Sequence, residues 1–283
     1  AIIPWAIVDN TNGGAGTASG VSFATLDSAA ATTIGLRPLA ANEYATTLAG
    51  NVNMNVTATT STATLFPQQN LSINSLTLAT GSAGLTLAQG TTLNLQSGGI
   101  LATQSNTISG PGIFAADSNS AVQTFYINTY GSGTTLTISA NFGSTQGNTG
   151  RNGDINKSGA GTLVLSGSNF DISNTRIQEG TLKLGSASAI YYRLTTPAAS
   201  NATGASNNGP TLQINGAAVL DLNGFDFAGN NLNSIKQILR ATPPNMRRLV
   251  NALHSEGFTV RKAHLNEDGV PEITVGIHSE SLL

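Results

Sequence analysis

Apolar-x-apolar triplets, many of them introduced by glycine, recur along most of this chain and constrain its fold more than any other feature. Leu163-Val164-Leu165 follows Gly161-Thr162, and Leu182-Lys183-Leu184 follows Gly180-Thr181. Successive side chains of a strand point to opposite faces, so the outer two residues of each triplet share one face and the middle residue takes the other. The same design appears at Leu71-Ser72-Ile73, Leu76-Thr77-Leu78, Leu85-Thr86-Leu87, Leu93-Asn94-Leu95, Leu136-Thr137-Ile138, Leu212-Gln213-Ile214 and Leu220-Asp221-Leu222. Asn51 to Val56 alternates strictly between polar and apolar, and Ile172 to Ile177 is a weaker strand candidate. Strands this short cannot bury an apolar face alone. Stacked on one another they can, which predicts a mainly β chain wound as a solenoid, about three strands to a coil. An antiparallel β-sandwich is the alternative, because it too uses many short strands at regular spacing.

The polar half of the pattern is unusual. Charged residues make up only 9% of the 283, and glycine reaches 32. Between Glu43 and Arg151 the one ionised side chain is Asp117. The outward positions are Ser, Thr, Asn and Gln, so little charge repulsion opposes association with further copies of the same chain. A net charge of −2 gives no electrostatic reason to expect nucleic acid as a partner. No apolar run reaches the length of a membrane-spanning helix. Without cysteine there are no disulfides, thiolate metal sites or cysteine nucleophiles. The opening Ala1-Ile2-Ile3-Pro4-Trp5, with neither methionine nor signal peptide, reads as a processed form.

The segment Lys157-Ser-Gly-Ala-Gly-Thr-Leu-Val-Leu-Ser-Gly-Ser-Asn169, followed by Glu179-Gly-Thr-Leu-Lys-Leu-Gly185, resembles the autotransporter-associated β-strand repeat. The run Ala218 to Phe225 is similar to the segment that often follows that repeat. The likeness is specific over Lys157 to Gly185 and looser over 51–231. It departs from the repeat at Phe170 to Thr175, where an aromatic-Gly-Thr segment is usual. The resemblance implies a secreted, right-handed parallel β-helix of the kind found in bacterial passenger domains and surface proteins. It brings no shared catalytic residues, and the outer-membrane barrel of a complete autotransporter is not in this sequence.

Three regions follow. Residues 1–50, with Pro4 interrupting an apolar run and the charged pair of segments Arg37-Pro38-Leu39 and Glu43-Tyr44, read as an N-terminal cap over an open coil. Residues 51–231 carry the triplets. Residues 232–283 change character: Leu232, Ile235 and Leu239 share a helical face, and Thr242-Pro243-Pro244 starts a second helix through Met246, Leu249, Val250 and Leu253. Phe258-Thr259-Val260 and Ile273-Thr274-Val275 flank the hairpin signal Asn266-Glu267-Asp268-Gly269. This is a small α+β appendage, a C-terminal cap or a docking module.

No chemical constellation stands out. Asp221 and Asp226 are the best carboxylate pair, without an Arg, His or Tyr at a matching coil position. Asn152-Gly153-Asp154 and Asp221-Leu222-Asn223-Gly224 have too few ligands for a calcium loop. His264 and His278 fall too far apart on the expected hairpin for one metal to use both together with His254. Gly159-Ala160-Gly161 precedes a strand and lacks the Lys-Ser/Thr ending of a phosphate loop. No Gly-x-Ser-x-Gly elbow occurs. Catalytic, cofactor and metal residues are therefore not expected. Tyr191-Tyr192-Arg193, in a long loop over 186–210, is the one group suited to stacking on a sugar ring. The expectation is a non-enzymatic bacterial surface protein, extracellular and structural or adhesive, with copies of itself and surface glycans or matrix as partners. A polysaccharide-cleaving or carbohydrate-binding β-helix is the alternative.

Overall fold

The computed structural model describes residues 2–10, 20–27, 35–57, 60–61, 70–81, 83–116, 123–142, 153–169, 172–190, 212–225, 258–265 and 271–277. Along them lie β1 (Ile2–Asp9), β2 (Val21–Asp27), β3 (Gly35–Pro38), β4 (Tyr44–Ala45), β5 (Asn53–Asn55), β6 (Thr60–Ser61) and β7 (Asn70–Leu78). There follow β8 (Gly84–Thr86), β9 (Thr92–Ala102), β10 (Asn106–Ser109), β11 (Ile113–Ala116), β12 (Gln123–Thr129), β13 (Thr135–Ile138) and β14 (Asn141–Phe142). The last are β15 (Gly153–Ser158), β16 (Thr162–Leu165), β17 (Ile172–Ile177), β18 (Thr181–Leu184), β19 (Leu212–Ile214), β20 (Val219–Asp221), β21 (Phe258–Leu265) and β22 (Pro271–Ile277). Apart from one short 3-10 turn at Ala41–Glu43, the described secondary structure is all β. No described helix is long and apolar enough to cross a membrane, which says nothing of membrane-crossing strands.

Two large sheets dominate. One has the order β6-β8-β10-β13-β16-β18-β20, the other β4-β5-β7-β9-β12-β15-β17-β19, with β11 joined to β9 and β14 to β11. From β6 to β20 the chain passes back and forth between the two, and each strand is laid parallel to its counterpart from the previous pass. The antiparallel sandwich is therefore not what forms. It needs sheet neighbours of opposite direction joined by hairpins, whereas every strand pair described in these two sheets is parallel.

Register turns the triplets into columns. In the seven-stranded sheet Leu85, Ile108, Ile138, Leu165 and Leu184 stack in succession, and beside them Leu136, Leu163, Leu182 and Leu220. Nearly all are buried in one continuous core with residues of the other sheet. Each fully buried leucine or isoleucine contributes about 1.5–3 kcal/mol relative to exposure. A one-residue slip would turn every such column out to water, so the alternation fixes the register. Phe114, Phe125 and Phe142 fill a corner of the core, Phe125 meeting Phe142 edge-on at 4.7 Å.

Rung contact also explains the glycines before the triplets. A Cβ on Gly161 would lie 2.4 Å from the carbonyl oxygen of Thr134 and 2.7 Å from that of Gly131. Gly180, at φ +69°, would meet the carbonyl oxygens of Gly159 and Gly161 at 2.4 Å. The turns thus nest backbone on backbone, and only hydrogen fits between.

The N-terminal strands form a separate antiparallel sheet, β1-β2-β3, with Pro4 on edge strand β1. It packs on the outer face of the ten-stranded sheet: Ile2, Val21, Phe23, Leu39 and Leu101 make a second core, and Ile2 and Phe23 close over Gly99. The Tyr130 hydroxyl donates to Asp9, and Arg37 pairs with Glu43, NH2 to Oε1 at 2.9 Å. That pair holds the Glu43 carboxyl down to about 2. At the other end β21 and β22 pair antiparallel, Leu265 opposite Pro271, where the hairpin signal places them. The expected helices between 232 and 257 lie outside the described residues.

Candidate functional site

The motif that resembles a known repeat is consumed by architecture. Along β15, Ile155 points inward, and parity sends Lys157 inward with it. Lys157 takes a place in the apolar column Met54, Leu76, Ile100, Ile127, Lys157, Ile177, Ile214. Its side chain is 0% exposed. The ammonium donates to three carbonyl oxygens, Gly159 at 2.6 Å, Ser158 at 2.8 Å and Glu179 at 2.9 Å. Burial pushes the amine down to about 8, while the charge of Glu179 pulls weakly the other way. A cation that satisfies the carbonyls of two successive turns is a clasp between them.

Asn169, at the far end of the motif, plays the matching part. It is 0% exposed. Its Oδ1 accepts from the Phe142 N–H at 3.0 Å and its Nδ2 donates to the Ala189 carbonyl at 2.6 Å, so one amide ties three successive passes. Leu163 and Leu165 fill the core and Gly161 nests the turn. None of these side chains is presented for chemistry on a ligand.

The expected site residues fare as follows. Tyr191, Tyr192 and Arg193 lie outside the described residues, as do Asp226, His254 and His278. His264 is on β21, with only its backbone described. Asp221 pairs with Lys183 of the neighbouring strand β18 at 3.1 Å and accepts from the Asn223 N–H at 2.9 Å, which makes it a turn and rung residue. Asp154 accepts from the Asn174 amide at 2.8 Å and from Arg176 NH1 at 3.1 Å. Among the described residues no group of three or more His, Cys, Asp or Glu could hold a metal ion.

A different surface brings chemistry together. The β1-β2-β3 sheet covers the outer face of the ten-stranded sheet only in part, and its edge strand β1 carries Trp5. Trp5 is 66% exposed, and its indole leans on the ring of Tyr126 with centroids 5.6 Å apart and planes at 54°. From Tyr126 the outward column continues through Asn156, Arg176 and Gln213 on successive parallel strands. At the usual strand spacing this strip is about 14 Å long. Asp154 fixes the Arg176 guanidinium and balances its charge. No pattern within either segment announces the meeting of Trp5 and Tyr126, because it depends on how the N-terminal sheet docks.

Comparison with protein-family models, with curated proteins and with solved structures finds no match.

Proposed function

We propose that this chain is a non-enzymatic, exported bacterial surface protein, a right-handed parallel β-solenoid with a structural or adhesive role that associates with copies of itself. The observation that carries the reading is the use of the repeat-like segment: Lys157, Gly161, Leu163, Leu165 and Asn169 all serve the joints between successive passes of the chain. The alternation between two parallel sheets supports a continuous winding. Its uncharged outward columns, such as Thr135-Thr162-Thr181, leave lateral or end-to-end contact unopposed. Over a polysaccharide-cleaving solenoid the reading is favoured because Asp154 and Asp221 are each matched with a cation among the described residues.

Sedimentation velocity over a concentration series, with negative-stain microscopy of the same samples, tests this. Rods that lengthen or bundle as concentration rises are expected. Particles that stay monomeric and compact at every concentration would sink the assembly.

A further inference from the structure

We infer that the strip Trp5–Tyr126–Asn156–Arg176–Gln213 is a binding site for a neutral linear polysaccharide lying across the strands of the outer face. The inference deepens the adhesive reading above by naming its ligand class.

A ring two-thirds exposed and propped against a second ring at a tilt of 54° is held in place yet stays open to solvent. Such a rigid aromatic face suits the axial C–H surface of a pyranose, which is apolar and flat. Hydroxyl groups around that sugar need donors and acceptors at the edge of the ring platform. The Trp5 Nε1–H, the Tyr126 hydroxyl and the Asn156 amide have no side-chain hydrogen-bond partner among the described residues, and all three meet on this flank. Arg176 adds further N–H donors, since Asp154 engages only NH1. Gln213 closes the strip, its Nε2 turned to the Asn215 amide oxygen at 3.1 Å and its own oxygen free to accept.

Length and charge narrow the class. Side chains repeat at every strand along about 14 Å, a span of several sugar rings, so a chain is matched better than a single sugar. The one cation is balanced at 3.1 Å by Asp154, and Tyr126, Asn156 and Gln213 carry no charge. An anionic polymer gains nothing from such a strip, whereas a neutral one meets amides, a hydroxyl and two rings.

The chain contains one tryptophan, so its fluorescence reads this site directly. Purified full-length protein is titrated with the hexaoses of cellulose, xylan, laminarin and dextran, and with hexagalacturonate as the anionic probe. A saturable change of emission with at least one neutral hexaose is expected. In affinity electrophoresis through gels of the matching polysaccharide, Trp5→Ala and Asn156→Ala each weaken retardation, Trp5→Ala by about tenfold or more. Circular dichroism of both variants checks that the fold is unchanged, as expected for the exposed Trp5 and the half-buried, outward Asn156. The inference is overturned if no neutral probe alters emission or mobility, if hexagalacturonate outcompetes every neutral hexaose, or if both folded variants migrate like the parent. Sedimentation of the same samples is read separately, so loss of glycan binding with rods intact counts against the ligand alone.

Discussion

Lys157→Met offers the sharpest test of how the stack is held together. Methionine keeps a straight apolar stem in the column between Ile127 and Ile177 and deletes the charge. Two opposing effects follow. The carbonyls of Ser158, Gly159 and Glu179 lose their donor, and the buried one, Gly159, accounts for about 1–3 kcal/mol. Against this, the folded protein no longer shelters an ammonium from water. Depression of the amine from 10.5 to about 8 makes that shelter cost roughly 3 kcal/mol, at about 1.4 kcal/mol per pH unit. Near pH 7 the two terms offset, and the variant differs from the parent by no more than about 2 kcal/mol. The pH dependence separates them. Between pH 8 and 10.5 the unfolded chain keeps the Lys157 proton and the folded chain releases it, so parental stability rises with pH over that window. Below pH 8 both states are protonated and the penalty is present in full. The neutral amine has two N–H groups for three carbonyls, which trims the gain without reversing it. Urea melts of both proteins at pH 7, 8, 9 and 10 read the difference directly, and tyrosine titrations common to the two cancel. The parent should gain about 2–3 kcal/mol over Lys157→Met by pH 10. Parallel curves, or a parent that loses ground as pH rises, would refute the buried-ammonium account.

Two further substitutions probe the same joints. Gly161→Ala sets a methyl group 2.4 Å from the Thr134 carbonyl oxygen; backbone must move, and a loss of several kcal/mol, on the order of 3 or more, is expected in thermal and urea melts. Asn169→Leu keeps the volume but leaves the Phe142 N–H and the Ala189 carbonyl without partners, so a loss of about 2–5 kcal/mol is expected, with faster hydrogen exchange at Phe142; unchanged exchange there would remove the residue from its bridging role.

How much of this could be read from the residues varies with the range of the interaction. The triplets located strands because parity is local: Leu163 and Leu165 must share a face once the chain is extended, and Thr181 to Leu184 repeats the case. Parallel pairing was inferable only from the recurrence of Gly-Thr-Leu, since a single triplet is the same in either direction. Lys157 carried a readable signal that hydrophobic pattern-matching passes over. It stands two residues after Ile155, so the strand that buries one buries the other. Asn169 carried none: its partners Phe142 and Ala189 lie one pass before and one pass after, and loop lengths between passes differ. The Trp5–Tyr126 platform was illegible for the same reason, because it is made where one sheet docks on another.

That docking also decides where the molecule can vary. Inward columns are apolar at most levels, because a gap in one column is felt by the strands on both sides; Lys157 enters one with its own clasp, and the small Thr175 follows Phe125 and Ile155 in another. Outward columns carry no such demand, and the series Thr107, Thr137, Val164, Lys183, Asp221 changes character at nearly every step. On the ten-stranded sheet the outward face is divided. Where Ile2, Phe23 and Leu39 cover it, small or apolar residues such as Gly99 and Leu101 are required to admit the second sheet. Beyond the edge of β1, where the cover stops, Tyr126, Asn156, Arg176 and Gln213 follow instead. The N-terminal sheet exposes Leu26 and Leu36 as well as Trp5, but Trp5 is the one that leans on Tyr126 at the head of this strip. The exposed ring gives up part of the burial its area would otherwise supply, and a side chain that forgoes that stabilisation at the border of a polar strip is best accounted for by what it meets there.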